Sequence, residues 1–449
     1  MDGPVRRDGI SSILVCPRRA RWHGIVDAYR HADTETRTRT QRSKLVPSAT
    51  AADVAADGAG FAGFAAHLDM QPSDPDVLAT PDVSSLVALP WNRDVAWVAC
   101  DLSCGGRPLS QSSRSALRHA QRQLQEKSGL SMKTGVELEF HLLSAEDASR
   151  LADSKDSSAK PCYQVEPLMR QYDLISELLA YMEELGWMPY QADHEDSIGQ
   201  FEINWTYDDA LITADRHVFY KWMVREAAAR RGMVATFMPK PFTHLSGNSA
   251  HMHLSLYDAA GAEVMAGDKA LGLSQTALDF CGGLLAHAPA YAAVTNPTVN
   301  SYKRINAAAT ISGSSWAPNM VSWTGNNRSH MIRVPDAPRF EVRLADASAN
   351  AYLLPAAIMA AGQDGLARKI DPGPPSLINM YTADADAQAA FTRLPLNLLD
   401  ALREFRQNQA LAAGLGSEVA EGYYNLRIRQ WNDFTRSMSQ WEIDNTLDA

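Results

Sequence analysis

Val136-Glu137-Leu138-Glu139-Phe140 alternates apolar and acidic side chains with a period of two. An extended strand turns that period into two faces, one apolar and one carrying both carboxylates. Three other segments repeat the device. After His194-Glu195, the residues Gln200, Glu202 and Asn204 alternate with Phe201, Ile203 and Trp205. His251 and His253 alternate with Met252 and Leu254, and Glu341 and Arg343 with Phe340, Val342 and Leu344. Together the four segments predict a sheet with one packed face and one face loaded with acids, imidazoles and an arginine.

The chain has 449 residues, enough for two or three domains and a large core. Hydrophobic residues make up 45% and charged residues 21%, the balance of a soluble globular protein. The net charge of -10 makes nucleic acid a poor partner. No apolar run is long enough to span a bilayer, so no membrane partner is expected. Five scattered cysteines (Cys16, Cys100, Cys104, Cys162, Cys281) argue against a disulfide framework and for a reducing, cytoplasmic location. Cys100 and Cys104 lack a second pair, so zinc is not expected there.

Residues 1–48 carry ten basic and five acidic side chains, +5 against -15 for the remainder. Arg37-Thr38-Arg39-Thr40 reads as loop, and the segment as a solvated basic arm. A strand is expected over 91–100. Helices are expected over 112–128 (stopped by Gly129), 169–185 (closed by Gly186), 351–369 (before Asp371-Pro372-Gly373-Pro374-Pro375) and 394–405. Gly58-Ala59-Gly60-Phe61-Ala62-Gly63 fits a dinucleotide-binding glycine pattern, but no apolar strand precedes it, so that reading is set aside.

Glu137, Glu139, Glu195, Glu202, Glu341 and His251 are the ligand candidates. That many acids in one cleft require cations, and an oxygen-rich set selects Mg2+ or Mn2+ over zinc. Arg304, Arg328, Arg333, Arg339, Arg343 and Lys303 supply the opposite charge, and arginine forks suit carboxylates and phosphates. Metals with an arginine clamp are the parts phosphoryl transfer needs. Taken singly, each motif reads as a solvated face or a structural pair. Their joint occurrence within 137–343 points to a site.

At this point the residues resemble the glutamine synthetase family, from about Ser43 to the C-terminus. The most specific strings are Thr236-Phe237-Met238-Pro239-Lys240-Pro241, Asn296-Pro297-Thr298-Val299-Asn300-Ser301-Tyr302-Lys303-Arg304, Asn327-Arg328-Ser329 and Arg339-Phe340-Glu341-Val342-Arg343. The resemblance implies an α+β fold. Residues 1–42 would form an atypical basic segment and 43–108 a β-grasp domain with its first strand missing or replaced. Residues 109–449 would form a glutamine synthetase/guanido kinase-like catalytic domain around a curved antiparallel sheet. It also implies hexameric rings, stacked as a dodecamer, with the active site completed by a neighbouring subunit.

The resemblance further implies the roles. Glu139, Glu195 and Glu202 match the ligands of a first metal, and Glu137, His251 and Glu341 those of a second, within a complement of two or three Mg2+ or Mn2+ ions per site. His253 and Ser255 match nucleotide contacts. Arg304 and Arg343 match the clamp on the substrate α-carboxylate, with Gly247 in the loop at the amino end of glutamate. Arg328 and Arg333 match phosphate contacts, Arg328 reaching the glutamate site as well, and Arg339 lies near adenine. The implied chemistry is phosphorylation of the γ-carboxylate of L-glutamate by ATP, followed by attack of an amine on the acyl phosphate.

The departure that bears on substrate is at Gly313-Ser314-Ser315-Trp316-Ala317-Pro318. Trp316 stands where ammonia-using members carry a glutamate. An indole cannot accept a proton, but its face attracts an alkylammonium by roughly 0.5–2 kcal/mol. The pattern is similar to the branch of glutamate–methylamine ligases and type III-like glutamine synthetases. A small alkylamine, methylamine first, is therefore expected. Asp57 fits the acid a neighbouring subunit would contribute as base, and Tyr163 the tyrosine lining the amine pocket. Ser249 replaces a usual glycine. The alternatives are an ammonia-using glutamine synthetase, a polyamine or ethanolamine ligase, and a catalytically silent scaffold. Tyr381 lies near a position that some bacterial members adenylylate, but its surroundings differ, so that control is not expected.

Overall fold

The computed structural model describes residues 21–26, 42–66, 70–308, 310–335 and 338–448. Within them the chain forms two sheets. The first contains β1 (Arg21–Val26), β2 (Arg42–Pro47), β3 (Ala59–Phe61), β4 (Val77–Pro81), β5 (Val87–Leu89), β6 (Asn92–Cys104) and β7 (Arg107–Pro108). Its order is β2-β1-β6-β4-β3, with β5 and β7 also paired to β6. The pleat of β6 divides its side chains between two cores. Trp97 and Ala99 enter the large core, while Val98, Cys100 and Leu102 meet Val46, Val77 and Ala79 in a smaller one.

β1 lies within the basic segment and runs parallel to β6 and antiparallel to β2. The expected absence of a first strand is thus not met, and the sheet begins upstream of residue 43. Trp22-His23-Gly24-Ile25 is too short a run to register as a strand until long-range pairing supplies its hydrogen bonds. Arg37–Thr40 and Cys16 fall outside the described residues.

The second sheet holds β8 (Ser131–Ser144), β9 (Pro189–His194), β10 (Gln200–Trp205), β11 (Asp208–Asp209), β12 (Met233–Thr236), β13 (Ala250–Tyr257), β14 (Trp323–Thr324), β15 (Ile332–Arg333) and β16 (Phe340–Val342). The order is β14-β15-β16-β13-β8-β10-β9, with β11 and β12 paired to β8. All pairings are antiparallel except β14 with β15. The apolar faces read from the sequence are packed: Leu138, Phe140, Phe201, Ile203, Met252, Leu254, Phe340 and Val342 all lie in the large core. The helices Ser113–Ser128, Ala210–Ala229, Gln275–Thr295 and Leu353–Arg368 contribute to the same core.

Helix ends follow local chemistry. Ser112 caps the helix Ser113–Ser128 and Gly129 closes it in the left-handed region at φ 70°. The single helix expected over 169–185 is two, Val165–Arg170 and Tyr172–Glu184, broken where Gln171 leaves helical geometry. The one expected from Leu394 starts at Leu398, because Pro395 interrupts it and the Asn397 side chain caps the next turn, accepting from Asp400 N. The Arg114 guanidinium joins the parts, reaching Asp82 and Asp101 of the first sheet's region and Asp215 of the helix Ala210–Ala229 at 2.6–2.8 Å. No helix among the described residues is long and apolar enough to cross a membrane. Cys100, Cys104, Cys162 and Cys281 are free thiols.

Candidate active site

Strand register assembles the polar face. Glu137 pairs with His251, His253 with Glu341, and Glu139 with Glu202. Directly opposed residues of neighbouring strands share a face at close range, so four strands bring acids and imidazoles from across 137–341 together.

Two donor sets result. Glu137, His251 and Glu341 offer ligand atoms that all lie within 4.8 Å of one another. So do Asp193, Glu195 and Glu202. Asp193 is absent from the expected set, although its spacing of two from Glu195 carried the strand signal. Glu139 is engaged instead by neutral donors: Oε1 accepts from Ser249 Oγ at 2.6 Å, and Oε2 from Ser249 N at 2.7 Å and Gln200 Nε2 at 2.9 Å. The serine in place of a usual glycine thus bonds Glu139 through both backbone and hydroxyl.

Electrostatics separates the sets. Burial, with Glu139 and Asp193 close by, pushes the Glu195 carboxyl up to about 8. Burial and the charges of Glu137 and Glu195 push Glu202 up as well. In the other set burial also works upward but loses. Hydrogen bonds from His251 and His253 hold Glu137 well below the usual range. Arg343 and His251 hold Glu341 down. Glu341 is fully buried between Arg333 and Arg343, the latter at 2.5 Å. His251 Nε2 is buried with no hydrogen-bond partner. Crowded acids held protonated and an orphaned imidazole nitrogen are what a site for hard divalent cations presents without its charge.

The arginines occupy different environments. Arg304 is buried, donates through Nη1 to Leu344 O, and leaves Nη2 without a partner. No ion pair to Arg304 exists among the described residues, so this buried guanidinium awaits an anion. Gly247 packs against it: a Cβ there would lie 2.2 Å from Pro239 O and 3.1 Å from Arg304 Cγ, so only glycine fits. Arg343 Nε is likewise unpartnered. Arg333 is half-buried, and Arg328 and Arg339 are exposed. His253 Nε2 meets Glu137 Oε1 at 2.8 Å, and Ser255 Oγ donates to Tyr257 Oη at 3.3 Å.

Among the described residues, Trp316 and Tyr163 are two of the five non-glycine residues with positive φ, 52° and 64°. Such conformations cost on the order of 1–3 kcal/mol and concentrate at binding sites. Trp316 meets Tyr381 edge to face, with ring centroids 6.3 Å apart. Burial raises the Tyr381 phenol, and the charges acting on it are those of Arg343, Arg304 and Asp196. Trp316 thus packs on Tyr381, and its loop is tied to the Glu195 turn through the hydrogen bond from Ser312 Oγ to Asp196 Oδ2. Tyr163 is 70% exposed, with its N–H bonded to His194 O at 2.8 Å. Asp57 is exposed at the end of the helix Ala51–Asp57; among the described residues no hydrogen bond or ion pair joins it to this cleft.

With the geometry in place, comparisons with known proteins are informative. The sequence profile described as Glutamine synthetase, catalytic domain, matches residues 110–446. A protein named Glutamine synthetase from Rhizobium leguminosarum bv. phaseoli is 52% identical over 91% of this chain and 94% of its own. A Glutamate--methylamine ligase from Methyloversatilis universalis is 41% identical over 91% of this chain and 93% of its own. Among solved structures, one titled GmaS/ADP complex superposes with a TM-score of 0.92 at 47% identity, covering 98% of this chain and 100% of that one.

Proposed function

Since the chain belongs to the glutamine synthetase family, whose members are ATP-dependent glutamate–ammonia or glutamate–amine ligases, we propose that its amine is a small alkylamine, methylamine first. The observation that carries this reading is Trp316 itself: an indole, not a carboxylate, packed on Tyr381 in a loop that Ser312 ties to Asp196, the neighbour of Glu195. Its face offers cation–π attraction to an alkylammonium and apolar contact to the carbon it carries.

In this reading Arg304 and Arg343 clamp the α-carboxylate of L-glutamate, with the Gly247 loop at its amino end. Glu139, Glu195 and Glu202, with Asp193 beside the latter two, would hold one divalent ion and Glu137, His251 and Glu341 a second, Mg2+ or Mn2+, two or three per site. When bound, the ions would supply charge neutralisation on the phosphates. Arg328 and Arg333 neutralise the transferring phosphoryl group, while His253, Ser255 and Arg339 line the nucleotide site. The γ-carboxylate oxygen takes the γ-phosphoryl of ATP and ADP leaves. Asp57 of a neighbouring subunit takes the ammonium proton beside Tyr163, the amine nitrogen so freed attacks the acyl carbon, and phosphate departs as the nitrogen loses its second proton. The family resemblance adds rings of six, stacked as a dodecamer, and the cysteine usage adds a cytoplasmic location. The division into a basic segment 1–42, a β-grasp domain 43–108 and a catalytic domain 109–449 belongs to the same reading, with β1 added to the sheet of the β-grasp domain.

Ammonia is the second reading, favoured by the 52% identical relative named glutamine synthetase. The test is ADP and amide formation with glutamate, ATP and Mg2+ or Mn2+, comparing ammonium, methylamine, ethylamine, ethanolamine and putrescine. Preference for methylamine is expected. Preference for ammonium would remove the role given to Trp316, and preference for putrescine or ethanolamine would overturn the pocket size.

A further inference from the structure

Asp196 is the residue after Glu195, in the turn between β9 and β10. Its carboxylate is 9% exposed and has no cationic partner among the described residues. Two hydroxyls from different loops converge on one oxygen. Ser246 Oγ donates to Oδ2 at 2.8 Å, and Ser312 Oγ donates to the same Oδ2. Ser246 precedes Gly247, whose backbone packs on Arg304. Ser312 lies in the segment between Ile305 and Trp323, which contains no helix or strand among its described residues and carries Trp316. Apart from Asp196, these loops touch through Ile311 N and His244 O at 3.4 Å, a long backbone bond.

We propose that Asp196 is a positioning residue that latches the Trp316 loop to the Gly247 loop, so that the amine pocket is built against the glutamate site. The proposal rests on the ligase reading above. A carboxylate only accepts, so both hydroxyls must point at it, and hydrogen bonds to an ionised acceptor are about twice as strong as neutral ones. The other anchors on the turn lead elsewhere: Ser197 Oγ meets His141 Nε2 at 2.7 Å, Gln200 Nε2 donates to Gly247 O at 3.0 Å, and Gly199 N donates to Asp156 Oδ2 at 2.6 Å. Among the described residues, Asp196 is the member of the turn that is hydrogen-bonded to the loop carrying Trp316. The latch also adjoins Glu195 directly, since Asp196 N donates to Glu195 Oε2 at 3.3 Å.

The experiment compares full-length Asp196→Ala, Asp196→Asn, Ser312→Ala, Ser246→Ala and the double variant Ser312→Ala/Asp196→Ala with the wild type. It measures KM for the best amine, KM for glutamate, KM for ATP, and amide formed per ATP consumed. Ser312→Ala should raise the amine KM about tenfold, the lower end for losing one hydrogen bond to a charged acceptor, with glutamate KM unchanged. Ser246→Ala should do the reverse. Asp196→Ala should raise both and lower amide per ATP, because a loosened Trp316 loop admits water to the acyl phosphate. ATP KM should not move. Asp196→Asn keeps an accepting oxygen and should restore most of the loss. The double variant should match Asp196→Ala on the amine KM, the non-additivity of one shared contact. Asp196→Asn as impaired as Asp196→Ala, or Ser312→Ala shifting both KM values together, would overturn the latch. A wild type inactive with every amine would overturn the ligase reading instead.

Discussion

The Trp316 and Tyr381 rings meet at an interplanar angle of 72°, with centroids 6.3 Å apart. Such a pair fixes both rings, and in the alkylamine reading the indole supplies the cation–π contact. Trp316→Glu puts an acid where ammonia-using members carry one. The methylamine-to-ammonium ratio of kcat/KM should fall about tenfold, the upper part of the cation–π range. Competition assays with both amines present check it; an unchanged ratio would remove the amine-site argument.

Gly247 lies too close to Pro239 O and Arg304 to accept a side chain. Gly247→Ala should displace the Arg304 guanidinium and raise KM for glutamate about a hundredfold, the cost of a misplaced positioning group. Nucleotide affinity, read by titration with ADP, should stay as in the wild type.

Glu341 bears on two properties at once. Glu341→Gln keeps the shape and removes the charge, so phosphoryl transfer should be abolished with the fold intact. Glu341→Ala also leaves Arg333 and Arg343 facing each other without their shared acid, and should cost about 3 kcal/mol of stability in addition. Single-turnover phosphate release and chemical denaturation separate the two effects. Retained turnover in the glutamine variant would refute the metal assignment.

The metal-free protein should lose stability as pH rises from about 5 to about 8. The Glu195 carboxyl titrates near its ordinary value when unfolded and at about 8 when folded. Between those values the folded state holds the extra proton, so stability falls with rising pH. Glu202 acts in the same direction. Glu137 and Glu341, held down, act with the opposite sign and only toward acid. Thermal scans with chelator should show Tm falling over this window, and added Mg2+ or Mn2+ should raise Tm more at pH 8 than at pH 6.

Arg114 is buried against three aspartates. Arg114→Leu should destabilise the protein by about 3–5 kcal/mol, because Asp215 keeps its burial and loses its cation. Urea denaturation measures it, and a shift under 1 kcal/mol would show that the joint carries little.

The loaded face was readable because a strand's period of two is written directly in 137–139, 200–204, 251–253 and 341–343. Asp193 carries the same signal two residues before Glu195. Asp196 and Tyr381 carried none. Asp196 is out of phase with Glu195, and Tyr381 belongs to no periodic run; each acquires meaning only from what the fold places beside it. β1 escaped for a related reason, since its pairing to β6 joins residues some seventy positions apart.

By itself, the sequence determined the chemical inventory: which four segments build the loaded face, which of their sides is apolar, and which acids, imidazoles and arginines line the other. Periodicity is local, so the chain states it residue by residue. Only the tertiary structure decided which donors share a site, that Glu139 is bound by Ser249 and Gln200 while Asp193 joins Glu195, that Arg304 is left without an anion, and that Asp196 ties two loops together. Those facts depend on register between distant strands and on desolvation, and both arise only when the chain is folded.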